Sequence, residues 1–408
     1  MLLGLSLSAA TSFAKPSSPG KALVMITSER PASARKTRVS PPAIQILDNF
    51  DDLRAVLAQQ GVQQVHEQAD VFATLAWFDN LAACGLDAAG QGSVSCQLWL
   101  LDGGAAGPVV CLPLLLGRQL TGLSNYYSSL YAPLVWPAAC ADGPDAESEA
   151  AIWQAFAQAM RSHRARWPVL RFDPLDPQSR FFAGFEGALR QAGYQVGRYF
   201  CFGNWYLQLA ERSFTEYQQS LPSALRHSIT RGQRRLDKQG PWRVDIQQQP
   251  DGFLESAIQD FVAVYQASWK GAEPNPHFIP ALARMAATQG WLRLGVLRLN
   301  AQPIAAQLWL VKGGKASIFK LAYVTGFERF SAGSVLTAAL MRQVIDVDQV
   351  QEVDYLTGDD AYKRDWMSHR RERWGLVAFD WRTPAGLWAG CRHALGLWLK
   401  KAQARRQS

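Results

Sequence analysis

Alternation dominates residues 291–323. From Trp291 to Leu299 apolar side chains alternate with Arg293 and Arg298, and Asn300-Ala301-Gln302-Pro303 has the composition of a tight hairpin before Ile304 to Val311 runs back. Lys312-Gly313-Gly314-Lys315 marks a second turn, and Ala316 to Tyr323 a third strand. The period then changes. Beyond the loop TGFERFSAGS, Leu336, Ala339, Leu340 and Val344 recur at helical spacing, with Ser331 or Ser334 placed to cap the helix start.

The same reading predicts helices over about Asp51 to Gln60, Phe72 to Cys84, Glu147 to Arg164 and Ser179 to Ala192. Strands are expected at Cys96 to Leu101, Val109 to Leu116, Pro168 to Phe172 and the aromatic-rich Tyr194 to Leu209, with a loop from Ala138 to Asp145. Phe214 to Gly240 reads as a basic amphipathic helix striped by Leu221, Leu225, Ile229 and Leu236, with Pro222 in its first turn. A further helix carries Leu254, Ile258, Phe261, Tyr265 and Trp269 on one face, and Val350 to Leu356 is a short strand ending in TGDD. Pairing the hairpin 96–116 with 293–311, and the strand 168–172 with 350–355, suggests two copies of one α/β unit. The expected organisation is a disordered segment 1–42, domains 43–205 and 206–383, and a basic amphipathic tail 384–408.

Composition narrows the class. The apolar fraction of 48% and charged fraction of 19% suit a globular chain with two cores. The six cysteines have no CxxC spacing and read as reduced core thiols, and no His/Cys/carboxylate group has metal-ligand spacing, so no metal is expected. The net charge of +8 is unevenly placed: Arg226, Arg231, Arg234, Arg235 and Lys238 crowd one segment, and residues 363–373 and 392–406 two others. Such clusters fit phosphates, acidic lipid head groups or RNA. Leu2 to Ala14 is moderately apolar, but no Lys or Arg precedes it. A disordered or misassigned start, with Met25 as an alternative, is favoured over a secretory signal. No run reaches the roughly 18 apolar residues of a membrane span, and a cytoplasmic location is expected.

Two stretches carry candidate chemistry. Ser331, Ala332, Gly333 and Ser334 place small residues at a helix start, where free backbone N–H groups suit a pyrophosphate. EVDYLTGDDAYKRDWM brings Asp354, Tyr355, Asp359, Asp360, Tyr362, Lys363 and Trp366 to a strand end, where ligands of α/β sheets usually bind. Trp269 and Trp366 suit core filling more than sugar stacking.

The RRLDKQG helix, Ser268-Trp269-Lys270, the FKLAY strand with its SAGSVL helix start, and above all DYLTGDDAYKRDWM resemble the GNAT-like acyltransferase family of cellulose and exopolysaccharide biosynthesis. This CelD/BcsL type is related to the FemAB-type aminoacyl transferases. The resemblance covers roughly residues 200–380. It implies an α/β fold of tandem GNAT-like domains, with mixed, mostly antiparallel sheets flanked by helices. It further implies transfer of an acyl group from acyl-CoA to an amine or hydroxyl of a sugar or polymer precursor. Arg329, Ser331, Ala332, Gly333 and Ser334 would hold the donor, although Ala332 and Ser334 stand where the usual donor loop has glycines. Asp354 is the expected base and Tyr362 or Tyr323 the expected acid. Trp269, Lys270, Lys320, Asp359, Lys363 and Trp366 would meet substrate. The alternatives are aminoacyl transfer from charged tRNA, with the basic helix on RNA phosphates, and a non-catalytic scaffold whose tail touches the inner face of a membrane.

Overall fold

The first half of the chain runs β1 (Ile44–Leu47), α1 (Phe50–Gln59), α2 (Leu75–Cys84), β2 (Ser95–Asp102), β3 (Val109–Leu116), β4 (Leu120–Gly122), β5 (Leu134–Trp136), α3 (Ala146–Ser162), β6 (Val169–Leu175), α4 (Arg180–Gln191) and β7 (Gln195–Gln208). The second continues with α5 (Phe214–Ser220), α6 (Ser223–Gln239), β8 (Trp242–Gln247), α7 (Leu254–Gln266), α8 (Phe278–Thr288), β9 (Leu292–Leu299), β10 (Gln302–Lys312), β11 (Lys315–Tyr323), α9 (Ala332–Arg342), β12 (Glu352–Asp354), α10 (Ala361–Trp366), β13 (His369–Phe379) and α11 (Pro384–Gln407). This is a computed structural model describing residues 44–60, 62, 70–86, 94–103, 108–136 and 146–407, all in one compact unit. The expectations for residues 1–42, for the loop 138–145 and for Cys140 lie outside these residues.

The strands form one mixed, mostly antiparallel sheet in the order β1-β2-β3-β4-β6-β13-β7-β12-β11-β10-β9-β8, with β5 paired to β3. The two hairpin turns of the second half work as their residues suggest. Asn300 and Ala301 both take positive φ (49° and 68°), as do Gly313 and Gly314, which matches the twist of the strands they join.

Each half repeats one plan: an antiparallel meander whose last strand pairs in parallel with the strand that follows a helix, β4 with β6 and β11 with β12. The halves then trade their closing strands. β7 leaves the first half to lie beside β12, β13 returns to lie beside β6, and the two pair with each other from His369↔Tyr206 to Phe379↔Gln195. The expected boundary between residues 205 and 206 therefore falls inside a strand. The sheet is continuous across it.

The apolar stripes bury as patterned, with local corrections. Ile258, Phe261 and Tyr265 of α7 are buried, but the helix ends at Gln266 and Trp269 stands exposed beyond it. The basic helix is two helices, because Pro222 occupies the N-cap of α6 and cannot continue α5. Ile229, Gly232 and Leu236 bury one face of α6, leaving its arginines in solvent. One core joins the halves: Trp77 of α2 meets Phe278 of α8 edge-on at 5.8 Å, and Tyr127 stacks on Phe278 at 4.0 Å.

Candidate functional site

The second half's parallel pair is short. β11 and β12 are joined at Lys315↔Glu352, Ala316↔Val353 and Ser317↔Asp354, and then separate. Two cavities open where they part. One, of about 500 Å³, lies on the α9 side and is lined by Trp269, Tyr323, Gly333, Ser334, Thr337 and Trp366 among others. The other, of about 430 Å³, is lined by Tyr126, Tyr127, Tyr265, Lys320, Thr357 and Lys363 among others. Lys270, Leu321, Tyr355, Asp360 and Tyr362 border both.

The start of α9 faces the larger cavity. Ser331 takes the N-cap position in a left-handed conformation (φ 49°), and its hydroxyl bonds Ser228 of α6 at 3.0 Å rather than capping the helix. The first bond of the helix ladder runs from Val335 N–H to the Ser331 carbonyl, so the N–H groups of Ala332, Gly333 and Ser334 precede it. The buried Gln307 of β10 fixes this turn by donating to the Gly333 carbonyl (3.0 Å) and the Thr337 hydroxyl (2.8 Å). Small residues, unpaired N–H groups and the positive end of the helix dipole fit a pyrophosphate. Arg329 is exposed, with its guanidinium over the Phe330 ring and outside the cavity lining.

The second cavity is tyrosine-rich and carries ammonium groups. Lys320 pairs with Glu273 (2.7 Å) and sits over the rings of Tyr126, Tyr127 and Tyr265 at 4.5, 5.3 and 5.6 Å. Lys363 is buried and donates to the carbonyls of Thr357 (2.5 Å), Gly358 (3.3 Å) and Tyr355 (3.4 Å), with Asp360 at 3.3 Å. Burial lowers its pKa against the pull of Asp360, Asp354 and Asp359. Lys270 has Trp269 beneath its ammonium at 5.7 Å. Burial of that ammonium, and then the charges of Lys320 and Lys363, draw its pKa down to about 8. The residue as a whole is exposed, so solvent tempers the effect. Beside it burial, and then Asp360, push the Tyr362 phenol up to about 12.

Asp354 is placed differently from expectation. It is 1% exposed, borders neither cavity and is fully engaged. Lys315 lies at 2.9 Å and Arg371 closer still, while Asn204 (2.5 Å) and the Leu356 N–H (2.7 Å) donate to its other oxygen. Burial alone would raise its pKa, but the two cations and Asn204 outweigh it and hold the carboxyl well below the usual range. It therefore stays ionised near neutral pH. Its visible work is to clamp β12 to β11, β7 and β13, and to pin Leu356, which has positive φ (55°).

Trp269, Lys270, Tyr323, Tyr362, Lys363, Lys320 and Trp366 thus gather around the cavities. Asp359 does not: its carboxylate holds Arg370 (2.7 Å) and the Trp205 indole (2.6 Å). Tyr126, Tyr127, Tyr265, Glu273, Gln307 and Thr337 were not singled out by sequence as site residues. Of the two acids in the TGDD turn it is Asp360 that borders the cavities, and the loop tyrosines reach the site only because the halves pack together. Among the described residues no group of three or more His, Cys, Asp or Glu is arranged to hold a metal, and the five described cysteines are free thiols.

The fold is a GNAT-type acyltransferase fold. The Acetyltransferase (GNAT) domain family matches residues 223–364, which include α6, the meander, the α9 start and the TGDD turn. Among solved structures, a conserved protein of unknown function from Bacteroides thetaiotaomicron is 9% identical over 83% of this chain and 100% of its own, with a TM-score of 0.51. The C-terminal domain of a putative lysylphosphatidylglycerol synthetase from Agrobacterium fabrum (11% identity, 86% and 97% covered, TM-score 0.48) is also similar. So is a tandem GNAT protein from the clavulanic acid biosynthesis pathway (13%, 82% and 98%, 0.45). No curated protein matches the sequence. The cellulose-associated family named from motifs is not among these findings; the GNAT-type fold is.

Proposed function

We propose that the chain transfers an acyl group from acyl-CoA to an amine or hydroxyl acceptor across the gap between β11 and β12. The carrying observation is that two cavities of ligand size meet there, one headed by a helix N-terminus and one by tyrosines and lysines. The donor's pyrophosphate would rest on the N–H groups of Ala332, Gly333 and Ser334, with the thioester reaching the Tyr355–Tyr362 border. The β11 edge beyond Ser317 has no strand partner on that side, so its N–H groups suit the thioester oxygen.

The acceptor would enter from the Tyr126 side. Its nitrogen or oxygen attacks the thioester carbonyl carbon, the new bond forms, and the C–S bond breaks. Lys270 takes the acceptor's proton and returns it to the departing sulfur, while Tyr362, held protonated, donates a hydrogen bond to that sulfur. A base with a pKa near 8 suits work near neutral pH better than the paired Asp354, which becomes a positioning residue. Exposed rings of Tyr126, Trp269 and Tyr362 at the cavity mouths fit an acceptor with a sugar ring, in keeping with the motif resemblance to polysaccharide-associated transferases.

The test is release of free thiol from acetyl-CoA with a panel of amino sugars and amines, across pH. Below about 8 the wild-type rate should climb about tenfold per pH unit as Lys270 loses its proton, then level off. A flat profile in the wild type would remove Lys270 as base. A second reading has one observation behind it: Arg231, Arg234, Arg235 and Lys238 share one exposed face of α6, and Arg235 reaches the Arg329 carbonyl beside the cavity residues Glu328 and Ser331, as a charged-tRNA donor would require. Donor binding that collapses steeply with salt would favour it.

A further inference from the structure

α11 is built inside out. The face it turns to the sheet is made of Gly386, Ala389, Gly390 and His393. A Cβ at Gly386 would lie 2.2 Å from the Asp380 carbonyl, and one at Gly390 3.4 Å from the Phe379 ring, so that face has no room for large side chains. Among the residues up to 396, the large apolar ones point the other way: Leu387 is 51% exposed, Trp388 64% and Leu395 56%, with Trp381 just before the helix at 61%. In an ordinary surface helix these residues would form the buried stripe.

The seat beneath the helix is thin as well. Its buried apolar residues are Val169, Val377 and Phe379, and a cavity of about 410 Å³, bordered by Arg171, Tyr199 and His393 among others, remains between helix and sheet. Charge is one-sided. From Trp381 to Ser408 the sequence holds Arg382, Arg392, Lys400, Lys401, Arg405 and Arg406 and no Asp or Glu. The Arg392 guanidinium lies over the exposed Trp388 ring at 4.8 Å, which places a cation beside the apolar patch.

We propose that α11 is a membrane-surface docking helix, seating Trp381, Leu387, Trp388 and Leu395 in the interface of an anionic lipid bilayer with its arginines and lysines on the head groups. Tryptophan at the interface, leucine beneath it and cations at the phosphates is the chemistry such a surface takes. No helix of the described residues is long and apolar enough to cross a bilayer, so the contact lies on the surface. A protein partner would need acidic groups to meet a segment with no Asp or Glu side chain, and a second copy of the same helix would repel it. This inference stands independently of the acyl-transfer reading.

The test is co-sedimentation of the full chain with vesicles of phosphatidylcholine alone and of phosphatidylcholine with about a third phosphatidylglycerol. Binding should favour the anionic vesicles about tenfold or more, weaken with salt, and fall about tenfold or more in Trp388→Ser/Leu395→Ser. Both positions are solvent-exposed, and an unchanged thermal unfolding midpoint checks that the variant folds. A second variant, Arg392→Glu, should weaken binding to anionic vesicles only. No partition of the folded wild type into either vesicle would overturn the proposal. So would equal binding to both vesicles, or self-association lost in the variants without vesicle binding.

Discussion

The two halves place the same strands around the same gap and treat it in opposite ways. In the first half β4 and β6 part after Thr121↔Arg171, and Tyr131 lies across the junction. Its N–H bonds the Pro174 carbonyl (2.6 Å), its hydroxyl bonds the Pro113 carbonyl (3.0 Å), and its ring, 1% exposed, meets Phe78, Phe172 and Phe181. A Cβ at Gly122 would press on that ring at 2.8 Å. The helix that follows, α3, opens with Glu147 and Glu149, the wrong sign for a phosphate. In the second half the gap after Ser317↔Asp354 is left open, and α9 begins with Ala332, Gly333 and Ser334 and no acid. One copy of the plan is filled with aromatic core. The other keeps its cavities, and the filled half lends it Tyr126 and Tyr127 as a wall.

Breaking this asymmetry should produce graded effects. The largest is expected for Lys270→Met, with turnover reduced about 10²- to 10⁴-fold and the rise of rate toward pH 8 abolished in the thiol-release assay. Lys270→Arg should be as poor, because a guanidinium does not release its proton.

Asp354→Asn comes next and acts through stability. Lys315 keeps Asp70 and Arg371 keeps Glu352, so losing their shared carboxylate should cost about 1–3 kcal/mol in urea unfolding. The folded-state pKa of Asp354 is depressed, so its contribution is fully present above the unfolded carboxylate value of about 3.9. It is lost as pH falls below that value. The variant should therefore show a weaker dependence of stability on acid than the wild type.

Gly333→Trp should weaken acyl-CoA binding about 10- to 100-fold by filling the mouth of the donor cavity, with the unfolding midpoint little changed. The smallest effect belongs to the filled half. Tyr131→Phe removes one buried hydrogen bond, costs about 0.5–1.5 kcal/mol of stability, and should leave acyl-CoA affinity as it was.

Much of the open half was legible in the chain. The β9–β10–β11 meander declares itself by alternation and turn residues, and the α9 start by its small residues, because both signals are local. The exchange of β7 and β13 left no such trace. β13 begins His369-Arg370-Arg371-Glu372, which reads as a solvated surface, and its strand pairing depends on residues far away in sequence. Asp354 shows the same limit at one residue. Sequence places it at a strand end, where ligands bind, but its burial comes from Lys315, Asn204 and Arg371, brought in by three other strands. The depressed pKa of Lys270 likewise arises from burial of its ammonium and then from Lys320 and Lys363, all of which depend on tertiary packing.

The most direct measurement is isothermal titration of the full chain with acetyl-CoA and longer acyl-CoAs, for the wild type and for Gly333→Trp. Saturable one-to-one binding, lost or weakened at least about tenfold in the variant and retained in Tyr131→Phe, is the predicted result. A folded wild type that binds no acyl-CoA, or a Gly333→Trp protein that binds as well as the wild type, would contradict the assignment of the open junction as the donor site.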